Sequence, residues 1–192
     1  MTHSFLAFGS SHLGSKNGIQ LPLQQLLTDS RNYDRSEFYP VGGGRLDDAT
    51  VETIIQKIDP QQQTHILIMY GSNDLRYDDS GLNALLDRLQ SIIDITMENK
   101  NIAVFIPSII PCPRTDKKSR KHYCKFNSRV KSMVKDKDRT IFINTTKHLF
   151  KTFGPQFLSE LYKKDKLHLN SRGAEEVANY IFKVTNTHTS ST

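Results

Sequence analysis

Short apolar runs alternate with longer amphipathic stretches along this chain, and the two periods together lay out its elements. Phe5-Leu6-Ala7-Phe8 is too short for a helix and too apolar for a surface loop, so it predicts a first buried strand. Residues 37–41, 65–70, 102–106 and 140–143 read the same way, the run 65–70 most clearly. Residues 22–28 predict a short helix with Leu21, Leu23, Leu26 and Leu27 available for burial. Val51, Ile54, Ile55 and Ile58 then share one helical face, starting from a cap at Asp47 or Asp48 and stopping at Pro60. From a cap at Ser80, the residues Leu82, Leu85, Leu86, Leu89, Ile92, Ile93 and Met97 keep the 3.6-residue period to about Asn99. Residues 146–163 predict two short helical pieces around Gly154-Pro155. Ala174, Val177, Ala178 and Ile181 mark a closing helix capped by Asn170 or Ser171. Strands alternating with helices in this way predict an α/β fold, a three-layer α/β/α sandwich on a parallel sheet. No repeat or linker divides the chain, which reads as one domain over residues 1–185 with a frayed polar tail over 186–192.

Composition narrows the class. At 192 residues with 36% hydrophobic content, the chain suits a single soluble core. Its 2 cysteines, Cys112 between prolines and Cys124 on a predicted helix, form neither a metal-binding pair nor a disulfide framework. No apolar run reaches membrane-spanning length, and no signal region precedes the first strand, so an intracellular, cytoplasmic protein is expected. The net charge of +6 is concentrated between Lys117 and Arg139, where Tyr123, Phe126, Val130, Met133 and Val134 recur at helical spacing. This predicts an amphipathic helix with a basic outer face. Solvation is the ordinary account of such a face, and a nucleic-acid or anionic-membrane patch through Lys121, Lys125 and Arg129 is the sharper one.

Candidate chemistry starts at Phe8-Gly9-Ser10-Ser11-His12-Leu13, which places Ser11 on a turn at the carboxyl end of the first strand. Ligands of open parallel sheets sit outside those strand ends. Three further blocks follow in order: Gly42-Gly43-Gly44 after the second strand, Gly71-Ser72-Asn73-Asp74 after the third, and Asp165-Lys166-Leu167-His168 before the last helix. With Ser11 these resemble the four blocks of the SGNH, or GDSL, hydrolases, over residues 5 to about 184. One departure is plain: the family's Gly-Asp-Ser is Gly9-Ser10-Ser11 here, which bears on loop geometry rather than on reaction class. The resemblance implies a flavodoxin-like, five-stranded parallel sheet.

A serine hydroxyl needs an adjacent base, and the base needs a partner that fixes its tautomer. His168 is the best placed of the seven histidines, because Asp165 stands three residues before it on the same loop. His12 is nearer to Ser11 in sequence, but adjacent side chains normally diverge. His3, His65, His122, His148 and His188 read as core or surface residues. The resemblance assigns an oxyanion hole to the backbone N–H of Ser11, a glycine N–H and the Asn73 amide; Gly43 matches the glycine block best, with Gly44 open as the alternative. The reaction implied is hydrolysis of short acyl esters, acetyl first among them, through a Ser-His-Asp triad and an acyl-enzyme, with neither metal nor cofactor. A different class stands beside it: domains of this fold that bind RNA without catalysis, as in the Oskar-like proteins, or that combine esterase and nucleic-acid binding, as in some LINE-type retrotransposons.

Overall fold

The computed structural model describes residues 2–14, 18–75 and 80–189. In chain order its strands and helices are β1 (His3–Gly9), α1 (Gln20–Asp29), β2 (Tyr33–Pro40), α2 (Asp48–Gln56), β3 (Thr64–Met69), α3 (Ser80–Met97), β4 (Ile102–Pro107), α4 (Lys117–Met133), β5 (Thr140–Ile143), α5 (Thr145–Phe153), α6 (Phe157–Glu160) and α7 (Ser171–Thr189). The five strands form one sheet in the order β2-β1-β3-β4-β5, and every pairing is parallel.

Parallel strands need crossovers, and the crossovers cover both faces of the sheet, which is why β1 is buried along its whole length. Side chains alternate between the two layers. Leu6, Phe8, Ile66, Ile68, Val104 and Ile106 pack on one side with residues of α3 and α4, among them Leu85, Leu89, Ile92, Phe126 and Val130. Phe5, Ala7, Leu67 and Phe105 pack on the other with Leu23 and Leu27 of α1, Leu149 of α5 and Val177, Ala178 and Ile181 of α7. Asp47, rather than Asp48, caps α2 by accepting a bond from the Thr50 N–H at 2.8 Å. Asn170, rather than Ser171, accepts from the Gly173 N–H at 2.9 Å. The Ser80 cap expected for α3 lies outside the described side chains.

Leu21, expected to be available for burial, is exposed, because it lies off the face of α1 that buries Leu23 and Leu27. Three boundaries differ from the sequence pattern by four residues or more. Strand β2 begins at Tyr33, four residues before the expected start, because it is an edge strand whose Asp34 and Arg35 face solvent and carry no apolar signal. Helix α4 ends at Met133 rather than near Arg139. The expected tail is also corrected: α7 runs through Thr189, with Thr185 fully buried, Asn32 Nδ2 donating to Asn186 Oδ1 at 2.8 Å and His188 meeting the Phe105 ring edge-on at 5.6 Å. Long-range contacts order these polar residues; residues 190–192 lie outside the described part of the chain.

At the amino ends of the strands, His3, Tyr33 and His65 are all buried, with the His3 and His65 rings 4.7 Å apart and Tyr33 Oη 2.8 Å from His65 Nδ1. Burial, reinforced by the neighbouring His3 and His188, pushes His65 down to about 3. No described helix is long and apolar enough to cross a membrane.

Candidate active site

The site is built at the opposite, carboxyl end of the sheet. Gly9 closes β1 where a Cβ would lie 3.0 Å from both Leu13 Cβ and Met69 Cβ, so a side chain there would crowd the turn. The Leu13 N–H donates to the Ser10 carbonyl at 2.9 Å, and buried Leu13 anchors that turn in the core. Ser11 sits at its apex, half-buried. Ser10 is 2% exposed and lines a small inner cavity, so the residue standing where the family has aspartate is turned inward.

The second and third blocks are tied to each other. Gly43 has φ +69°, in the left-handed region that favours glycine, within a turn closed by the Gly44 N–H donating to the Val41 carbonyl at 2.9 Å. Asn73 Nδ2 donates to the Gly44 carbonyl at 3.0 Å, and Asp74 Oδ1 accepts from the Leu46 N–H at 2.9 Å. The loop after β3 therefore fixes the loop after β2. Burial raises the Asp74 carboxyl above its ordinary value, and its second oxygen has no hydrogen-bond partner among the described residues.

The fourth block is a tight loop in which Lys166 takes φ +58°, an uncommon conformation for a side-chain-bearing residue. Asp165 Oδ1 accepts from the N–H groups of Leu167 at 2.8 Å and His168 at 3.0 Å, while Oδ2 is 2.9 Å from His168 Nδ1. These bonds hold the carboxyl well below the ordinary carboxylate range, the backbone bond from His168 foremost. An ionised carboxylate only accepts, so it selects the tautomer with the proton on Nδ1 and leaves Nε2 free to accept one. No hydrogen bond joins Ser11 Oγ to His168 in this structure.

Ser11, Asn73 and Leu167 line one cleft of about 110 Å³ with His12, Ser72, Ile110 and Arg114. An inner cavity of about 30 Å³ adjoins it, sharing His12, Ser72 and Ile110 as common wall and extending to Ser10, Tyr70 and Tyr162. His12 does not diverge from the site as its adjacency to Ser11 suggests. Its ring centroid is 6.1 Å from that of His168, and burial, followed by the nearness of His168, pushes it down to about 4, so it stays neutral near pH 7. The sequence signal for His12 was only its place beside Ser11. Arg114 and Ile110 come from the loop between β4 and α4, which carries Pro111 and Pro113. Lys121 and Lys125 stand exposed on α4, and Arg129 donates to Asn83 Oδ1 at 2.8 Å.

Solved structures share this architecture over nearly their whole length. A member of the lipolytic G-D-S-L family from Veillonella parvula matches with a TM-score of 0.77 at 16% identity, over 96% of this chain and 99% of that one. The chain has the SGNH hydrolase fold. A family 3 carbohydrate esterase from Clostridium thermocellum shares the SGNH architecture with a TM-score of 0.70 at 16% identity, over 99% and 98% of the two chains. A mutant acetyl esterase with an acetate ion matches with a TM-score of 0.71 at 12% identity, over 98% and 99%. No family model and no curated protein matches the sequence. On the SGNH frame, the four sequence blocks fall on the loops after β1, β2 and β3 and on the loop before α7.

Proposed function

We propose that this chain is a serine ester hydrolase that removes short acyl groups, acetyl in particular. The reading rests chiefly on one observation: Ser11 and Asn73 face a single cleft whose wall includes Leu167, between Asp165 and the His168 to which that aspartate is bonded. Ser11 Oγ attacks the ester carbonyl while His168 Nε2 takes its proton. The oxyanion is met by the N–H groups of Ser11 and Gly43 and by Asn73 Nδ2, which carries two hydrogens and gives one to Gly44. Collapse expels the alcohol, which receives the proton from His168. Water then repeats the attack on the acyl-enzyme and releases the acid. Asp165 steadies the imidazolium that forms in both halves.

The small acyl group is supported by the inner cavity beside the cleft, since about 30 Å³ is room for little more than two water-sized groups. The acetyl esterase and the carbohydrate esterase among the structural relatives point the same way. Labelling with a serine-directed fluorophosphonate tests the assignment: mass spectrometry is expected to find the adduct on Ser11, and an adduct elsewhere, or none, contradicts it.

A further inference from the structure

Arg114 is the one arginine lining the cleft among the described residues, and the loop that carries it is fixed from three sides. The Thr115 N–H donates to the Cys112 carbonyl at 2.9 Å, and Thr115 Oγ1 accepts from the Cys112 N–H at 2.9 Å, closing a tight turn over residues 112–115. Tyr162 Oη donates to the Pro111 carbonyl at 3.0 Å. The Arg114 N–H donates to the Lys166 carbonyl at 3.2 Å, so its backbone is tied to the loop between Asp165 and His168. Pro111 and Pro113, on either side of Cys112, restrict the chain that leads into Arg114.

Among the described residues the guanidinium is uncommitted: Arg114 is exposed and makes no ion pair or side-chain hydrogen bond with any of them. Asp116, in the same cleft wall, is occupied otherwise: Oδ1 accepts from the Ser119 N–H at 2.8 Å and Oδ2 from Ser119 Oγ at 3.0 Å, capping α4. Asp165 is bonded to His168. The neighbouring Arg120 donates Nε to the Thr115 carbonyl at 3.0 Å. Arg114 therefore brings a planar, permanently charged fork to the cleft wall with neither Asp116 nor Asp165 bonded to it, on a backbone fixed to the loop between Asp165 and His168.

We propose that Arg114 selects esters whose alcohol portion carries a carboxylate, which the guanidinium binds while the acyl group enters the inner cavity. This inference rests on the ester-hydrolase reading above. The Asp116 charge weakens the field at that place without engaging the fork, so selectivity comes from the paired hydrogen bonds more than from long-range attraction.

The test compares 4-acetoxybenzoate with its neutral counterpart, methyl 4-acetoxybenzoate, in wild-type protein and in Arg114→Gln and Arg114→Lys. Electronic differences between the esters cancel when each variant's selectivity is divided by that of the wild type. Losing a charge-assisted pair is expected to lower the kcat/KM preference for the carboxylate ester about tenfold in Arg114→Gln, with Arg114→Lys in between. Calorimetric binding of 4-hydroxybenzoate to Ser11→Ala, with and without Arg114→Gln, reads the same contact without turnover, and binding should weaken with the arginine gone. Turnover of the methyl ester with an unchanged selectivity ratio and unchanged 4-hydroxybenzoate binding overturns the role of Arg114 alone. Arg114-dependent binding without hydrolysis of either ester keeps the role and overturns the hydrolase reading. Absence of both turnover and Arg114-dependent binding overturns both.

Discussion

The Asn73 side chain donates to the Gly44 carbonyl at 3.0 Å, so the residue proposed to meet the oxyanion also holds the glycine loop proposed to supply a second donor. The two roles have separable signatures. Asn73→Ala is expected to lower kcat by roughly 10²–10³ through loss of an oxyanion donor. Loss of the Gly44 bond should also cost about 1 kcal/mol of stability. Measuring kcat and Tm on one preparation checks both; a lower Tm with undiminished kcat leaves Asn73 a loop tether only.

Acyl length should be limited by the inner cavity. With about 30 Å³ available, acetyl esters are expected to be hydrolysed more efficiently than butyryl or hexanoyl esters of the same alcohol. Enlarging the cavity with Ile110→Ala, in the wall it shares with the cleft, should shift the profile towards longer chains. A profile that rises with chain length in the wild-type protein contradicts this use of the cavity.

Stability should fall in acid because of the buried histidines. His65 has its pKa depressed in the folded protein to about 3 from 6.5, so below about pH 6.5 the unfolded chain gains a proton that folded His65 refuses. Its contribution to stability is therefore complete above that pH and is lost as the pH falls towards 3. Each such histidine steepens the decline by up to about 1.4 kcal/mol per pH unit. His65→Leu should be less stable at pH 7, for want of the Tyr33 partner, but should show a flatter decline between pH 6 and 4. Urea midpoints over that range provide the check.

Much of this architecture was legible because buried parallel strands are written as uninterrupted apolar runs; Thr140–Ile143 was located to the residue. The start of β2 was hidden because Tyr33 pairs with His3 at the sheet edge while Asp34 and Arg35 face outward, leaving neither alternation nor an apolar run. The last turn of α7 was hidden because Asn186 and His188 are held by Asn32 and Phe105, partners far away in sequence. Asp165 and His168 were legible as a pair because three residues on one loop bring them within bonding distance. His12 and Arg114 were not legible. One depends on the curvature of the Ser10–Leu13 turn, and the other on the bond between Arg114 and Lys166, and neither leaves a mark on local spacing.

The central claim is that Ser11 is the nucleophile, and turnover of a short activated ester by Ser11→Ala tests it most directly. Ser11 is half-buried at the apex of a turn anchored by Leu13, so its hydroxyl is not part of the packing, and Tm should stay close to that of the wild type. Turnover of 4-nitrophenyl acetate by the folded variant should fall by at least about 10³, the scale expected when a triad nucleophile is lost. A variant with wild-type Tm and wild-type turnover would contradict the account.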